Sequence, residues 1–247
     1  MQHERAPQPA WLTTYRSVRH ALLHLVAPVL LLVAPQRCGG CEAEGSAFCD
    51  ACRAAALASA PAQIAARELP RGCDTAGVVG SYLSPLGVAL RTLKFRAAPE
   101  LADPLGALLA TTVRTVQLEL DGSAPPVLVP IPTDPARLRE RGFDHAALLA
   151  KSAAAATGLR SESILERTRS VPPLHTLSRV ERQRALERAF ALRAGVELPA
   201  AVILVDDIWT SGATFGAAAE ALRTAGCARI GAVAVAREPL AAGGARQ

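Results

Sequence analysis

One stretch, Ala201–Gly216, constrains the fold of this chain more than any other: AVILVDDIWTSGATFG. It opens with an uninterrupted apolar run, Ala-Val-Ile-Leu-Val, the pattern of a strand buried on both faces of a parallel sheet. Two carboxylates, Asp206 and Asp207, follow at its carboxyl end. A short loop of hydroxyls and glycine comes next, Thr210-Ser211-Gly212-Ala213-Thr214, and then an alanine-rich helix to about Ala225. Open α/β sheets bind ligands where strands end and helices begin. A small loop there turns backbone N–H groups and hydroxyls onto a phosphate, helped by the helix N-terminus. An ordinary buried strand followed by a helix cap is the simpler alternative. A cap, however, requires neither Asp-Asp nor the whole hydroxyl cluster.

The acids narrow the choice of phosphate ligand. A nucleoside triphosphate site carries a Gly-rich loop ending in Lys-Ser/Thr, and none is present. Carboxylates directly before a phosphate loop suit a sugar monophosphate. The loop takes the phosphate, and the acids take ribose hydroxyls or the shell of a magnesium ion. This block resembles the phosphoribosyl pyrophosphate (PRPP) motif of type I phosphoribosyltransferases.

The cysteines are the second strong signal. Cys38-Gly-Gly-Cys41 and Cys49-Asp-Ala-Cys52 are two C-x-x-C pairs seven residues apart. Two such knuckles complete a closed tetrahedral S4 site, the pattern of structural zinc. Disulfides or an iron–sulfur cluster are the alternatives; the symmetric spacing favours zinc. Cys73 and Cys227 stand apart and read as packing residues. Ahead of the knuckles, Ala21–Ala34 is apolar but shorter than a spanning helix, and His24 and Pro28 interrupt it. It reads as a buried helix rather than a signal peptide, with no membrane span and a cytoplasmic location.

The 247 residues suffice for one α/β domain with a small appendage. The net charge of +5 suits anionic ligands and is too small to establish nucleic-acid binding. Only 4% of the residues are aromatic, which offers little for base-stacking platforms. Residues 1–72 are expected to form the apolar helix and zinc module, 73–238 the α/β domain and 239–247 a flexible tail. Ala54–Arg71 reads as a helix and Gly77–Ser84 as a strand. Leu86, Leu90, Leu93 and Lys94-Phe95 follow a helical period. Pro126–Pro132 reads as a buried strand leading to a basic stretch, Arg137-Leu-Arg-Glu-Arg141-Gly-Phe-Asp144, and a helix from His145 to about Thr157. Arg139 and Arg141, with their bidentate forks, are candidates for gripping pyrophosphate in a loop. The arginine-rich segment Glu166–Arg193 reads as a long loop turning helical, placed to act as a lid.

Apart from its first twenty or so residues, the chain resembles the competence protein F (ComF) family, which is amidophosphoribosyltransferase-like. The resemblance rests on Cys38, Cys41, Cys49, Cys52, Lys94, Phe95, Pro130, Pro132, Arg139, Arg141, Gly142, Phe143 and Asp206–Thr214. It implies a type I phosphoribosyltransferase fold, a parallel sheet flanked by helices, carrying a small N-terminal four-cysteine zinc module. PRPP with magnesium is the implied ligand. Asp206 and Asp207 would steady the ribose and its developing positive charge, and Thr210, Ser211, Gly212, Ala213 and Thr214 would fix the phosphate. The acceptor is not identified by any residue. The resemblance leaves three roles: phosphoribosyl transfer, ligand sensing without turnover, or an accessory part in natural transformation through single-stranded DNA or a helicase partner. The chain departs from the family at Asp144-His145, where Asn-Gln is usual, and at Leu174 and Ala185, where amides are usual. Losing two amides from the lid bears on transfer more than on binding, so PRPP binding with slow transfer is expected.

Overall fold

The computed structural model describes residues 35–59, 64, 66–96, 98–120, 124–168 and 189–239. The apolar helix read at Ala21–Ala34, residues 169–188 of the lid (with Leu174 and Ala185) and residues 240–247 of the tail lie outside them.

Five strands form one parallel sheet: β1 (Thr75–Ser81), β2 (Val127–Pro130), β3 (Arg160–Ser161), β6 (Ala201–Trp209) and β7 (Arg229–Arg237), in the order β1-β7-β6-β2-β3. A separate antiparallel pair joins β4 (Leu165–Arg167) to β5 (Phe190–Leu192). The apolar run Ala201–Val205 takes the central position, between β2 and β7 and buried throughout. Its side chains alternate, as a strand requires. Ile203 and Val205 enter one core, and Val202 and Leu204 enter the other. The strand does not stop at the acids. Pairing with β7 continues through Ile208↔Ala236 and Trp209↔Arg237, so Asp206 and Asp207 ride on ordered strand, not on loop.

Helices cover both faces. On one lie α2 (Pro85–Phe95), α3 (Ala102–Glu119) and α5 (His145–Thr157); on the other lies α6 (Ala213–Thr224). Small residues on α5 (Ala146, Ala150, Ala153 and Ala154) let it pack closely against α3 and the sheet. Helix α2 starts where the sequence predicts: Ser84 accepts from the N–H of Leu86, and Pro85 occupies the first turn. Its Leu86, Leu90 and Leu93 are fully buried.

Several local readings change. The stretch Glu166–Arg193, read as a loop turning helical, has its described ends in strand: Glu166-Arg167 in β4 pairs antiparallel with Phe190-Ala191 in β5. The strand read at Gly77–Ser84 runs Thr75–Ser81, turning out at Tyr82-Leu83 before the cap of α2. The helix read at Ala54–Arg71 begins earlier, as α1 (Asp50–Ala58) directly after Cys49, with Asp50 favourable to the helix dipole; a short 3-10 turn follows at Ala66–Glu68. Cys52 therefore sits on a helix. The basic stretch is not a loop: α4 (Pro135–Arg141) is a two-turn helix, capped by the Asp134 carboxylate and ended by Gly142 at φ 78°.

The cysteine segment is not set apart from the sheet layer. Cys38, Phe48, Cys52 and Ala56 share one core with Leu86, Leu90, Leu93, Leu101 and Leu105. Thr92 of α2 donates its hydroxyl to the carbonyl of Gly39 at 3.4 Å.

Candidate functional site

The acid pair lies at the carboxyl end of the central strand, and four other segments converge on it. Asp207, only 4% exposed, holds the ammonium of Lys94 from the last turn of α2 in a buried ion pair. From the start of α5, His145 Nε2 lies 3.6 Å from Asp207 Oδ1 and 4.0 Å from Asp206 Oδ1. Behind the imidazole, Arg141 Nη1 stands 3.2 Å from Nδ1, and the Thr133 hydroxyl stands 3.4 Å from it. A guanidinium only donates. Nδ1 thus faces a donor, and Nε2 faces the two carboxylates. His145, Asp206 and Asp207 offer ligand atoms within 4.8 Å of one another, a set that could hold a metal ion.

Burial would push the Asp207 carboxyl up, but Lys94 and His145 outweigh it and hold it below the ordinary range. Asp206 goes the other way. Burial first, then the neighbouring Asp207, raise it to about 7, although its Oδ1 accepts the N–H of Asp207 at 2.8 Å. The two acids therefore differ. Asp207 is held ionised against Lys94, whereas Asp206 is the more exposed and lacks a full cationic partner, so its charge is resisted until a cation arrives. Magnesium takes one or two carboxylates and completes its shell with water and phosphate oxygens. The donor set fits that need through Asp206.

The loop after β6 is shorter than the sequence reading: it spans Thr210–Gly212, and Ala213 and Thr214, read as loop, already belong to α6. Thr210 and Ser211 are exposed, and Gly212 takes φ 74°, a left-handed turn that a Cβ would strain. A Cβ there would also approach Pro70 and Trp209 to 3.3 Å. Ser211 Oγ accepts from the N–H of Ala213, the first residue of α6, and Thr214 follows half-buried in the first turn. Trp209 and Phe215 stack below the loop with ring centroids 5.0 Å apart, fixing its two ends to each other.

Of the two candidate arginines, the fold brings Arg141 to the acids and leaves Arg139 exposed. Residues two apart on a helix face different ways, and only the 141 position of α4 looks toward α5. Burial pulls the Arg141 guanidinium below its ordinary value, opposed by Asp207. Arg167 is a further neighbour. It donates to the carbonyl of Pro132 at 3.2 Å, lies over the ring of Phe190 at 4.9 Å, and feels both Asp134 and Asp206. The sequence reading gave Lys94, His145 and Arg167 no place at the acids. Lys94 beside Phe95 and His145 after Asp144 were visible as motif positions, but neither spacing points to a partner in β6.

The four cysteines form the second centre. Their sulfurs all lie within 4.8 Å of one another, with Cys41 and Cys49 at 3.6 Å. Sulfurs about 2.3 Å from a tetrahedral zinc stand roughly 3.8 Å apart, so the donor set fits the ion. The backbone prepares the thiolates: Cys38 Sγ accepts the N–H groups of Gly40 at 3.4 Å and Cys49 at 3.3 Å. Burial raises the Cys38 thiol, yet these donors prevail and bring it to about 6. Burial and the neighbouring sulfurs push Cys52 up. Gly40 is required by space, since a Cβ there would meet Cys52 Sγ at 2.9 Å. Cys73 and Cys227 lie outside the cluster and pack in the second core. Among the described residues no helix is long and apolar enough to cross a membrane.

The chain is 31% identical over 156 residues to DNA utilization protein YhgH of Salmonella typhimurium, covering 62% of this chain and 67% of that protein. It is 32% identical over 160 residues to the protein of the same name in Escherichia coli K12, covering 62% and 67%. Competence protein F of Haemophilus influenzae is 28% identical over 160 residues, covering 64% and 70%. No protein-family model matches the chain. The chain belongs to the competence protein F (ComF) family.

Proposed function

We propose that this protein has a type I phosphoribosyltransferase fold and binds PRPP with magnesium at the carboxyl end of β6. The observation that supports this best is the join of three parts: an unneutralised acid at Asp206, a hydroxyl-lined turn at Thr210–Thr214 opening a helix, and Arg141 alongside. The turn and the N-terminus of α6 offer donors to the ribose phosphate. Asp206 accepts from ribose hydroxyls and shares the cation with pyrophosphate, while Asp207 is held in reserve by Lys94 and His145 as the anchor of the strand end. Arg141 and Arg167 supply fixed positive charge on the pyrophosphate side. Transfer to an acceptor would proceed through an oxocarbenium-like state that Asp206 stabilises.

The test is thermal. PRPP with magnesium raises the melting temperature of the unmodified protein by mass action, about 2.7 kcal/mol of stabilisation at a hundredfold excess over Kd. The Asp206→Ala and Thr214→Ala variants lose most of that shift while remaining folded. An unchanged shift in both puts the ligand elsewhere.

The relatives' names, competence protein F and DNA utilization protein, favour a second reading in which the protein serves the uptake or use of DNA. The exposed cations of α4, Arg137 and Arg139, give single strands a purchase. Binding of that kind falls steeply with salt as counterions are released. Salt-independent binding, or none at low salt, removes this reading.

A further inference from the structure

The search for a base-stacking surface ends at one residue. Among the described aromatic residues, Phe48, Phe190, Trp209 and Phe215 are buried and Tyr82 and Phe143 are half-buried. Phe95 alone is open to solvent, at 75% exposure. An apolar ring left in water forgoes the stabilisation that burial would bring. Its place is not incidental. Phe95 is the last residue of α2, next to Lys94, whose ammonium is fixed on Asp207. The buried Leu86, Leu90 and Leu93 hold that helix firmly, so the ring is displayed from a rigid support. The guanidinium of Arg141 lies over it, 5.6 Å from the ring centroid, and the same guanidinium reaches His145 at 3.2 Å. Three contacts therefore link the ring to the acid pair, through Arg141 and His145.

We propose that Phe95 and Arg141 form a stacking subsite for the planar face of a nucleobase. The reading deepens the proposed function, since it rests on the β6 site taking the ribose phosphate to which such a base is joined or transferred. Charge selects this occupant. Arg137 and Arg139 are exposed on α4 with Arg141, so the ring stands beside a cationic helix whose charges a purely apolar partner would leave unanswered; Arg96, just past the ring, is paired with Glu42. A nucleobase offers a π-face to Phe95 and Arg141, and its phosphate offers the counter-charge. The base comes either from a free nucleotide or from a single strand.

The experiment uses full-length protein and three probes. The first two are a fluorescein-labelled oligothymidylate and an abasic deoxyribose-phosphate strand of the same length, followed by anisotropy. The third is 2-aminopurine riboside monophosphate, followed by quenching. Phe95→Ala is expected to weaken at least one base-bearing probe by about tenfold, within what base–aromatic stacking supplies. It leaves the abasic strand unaffected, and Phe95→Trp restores binding. A loss on the oligothymidylate names the strand as the source, and a loss on the mononucleotide names the free nucleotide. The proposal is overturned if the unmodified protein binds neither base-bearing probe, if Phe95→Ala binds both as tightly, or if the abasic strand is weakened equally. The PRPP-induced melting shift of the unmodified protein, measured in parallel, reports on the β6 site alone. An intact shift with no Phe95 effect removes the subsite and leaves the PRPP reading standing.

Discussion

The cysteine cluster and the acid site both gather four or more polar side chains within a few ångströms, yet they are built in opposite ways. The cluster draws all its donors from fifteen consecutive residues, 38–52, and one tight turn with the first turn of α1 brings them together. The acid site draws on α2, α4, α5, β4 and β6, whose residues lie more than a hundred positions apart at the extremes. A local site is prepared by its own backbone, as the N–H groups on Cys38 demonstrate. A distributed site exists only after the sheet has formed, and its charges must be balanced by whatever the fold delivers. The geometry of the cluster therefore depends on its own local backbone, and that of the acid site depends on topology.

The largest effect that separates the two comes from the metal. Purified protein is expected to carry about one zinc, bound by Cys38, Cys41, Cys49 and Cys52. Cys41→Ser should release it and lower the melting temperature substantially, because metal binding is folding free energy in such modules. Metal analysis and circular dichroism check this, and metal-free protein with two disulfides would contradict it. The next effect belongs to the acid site. Lys94→Met leaves Asp207 buried without its partner and should cost about 3–5 kcal/mol. Adding Asp207→Leu should recover most of that loss, as denaturant unfolding of the single and double variants will show. If the single variant costs nothing, Asp207 is not held as described.

A smaller effect has its sign set by pH. Asp206 is raised to about 7 in the folded state, so ionising it works against folding. The stability tied to this group is complete below the ordinary carboxylate range and is lost as pH rises through about 7. Asp206→Asn should thus stabilise the unliganded protein, and its advantage should grow between about pH 5 and about pH 8 while PRPP binding falls. Melting curves at the two ends decide it, and a constant difference would show that Asp206 is not raised. The smallest effect is a contrast inside α4. Arg141→Ala should weaken PRPP by about tenfold or more, in keeping with charge-assisted hydrogen bonds, and Arg139→Ala by much less. Equal losses by calorimetry would mean that both arginines reach the ligand.

These contrasts also explain what could be read before the fold was known. The two C-x-x-C pairs and the run from Ala201 to Thr214 place their chemistry within one turn or one strand-to-helix step, so spacing alone exposes them. The helix from His145 to Thr157 was legible for the same reason: its apolar period and its Asp144 cap are local. Lys94 was not legible as a partner of Asp207, because a lysine near a helix end has the same local signature whether solvated or buried. The direction of Arg141 and Arg139 depended on whether their stretch was loop or helix. Asp134, Pro135 and Gly142 decide that together, as cap, first turn and left-handed stop. Phe95, the one aromatic among the described residues left in solvent, was hidden by a low average, since scarcity says nothing about placement.

Helix α2 meets the cysteine turn through Thr92 and the acid pair through Lys94, two residues further along. One rigid rod thus has a foot in each centre. In thermodynamic terms, a metal bound at the cysteines and a sugar phosphate bound at the acids would be linked ligands of a single body. Whatever factor by which zinc occupancy changes ligand affinity, ligand occupancy must change zinc affinity by the same factor.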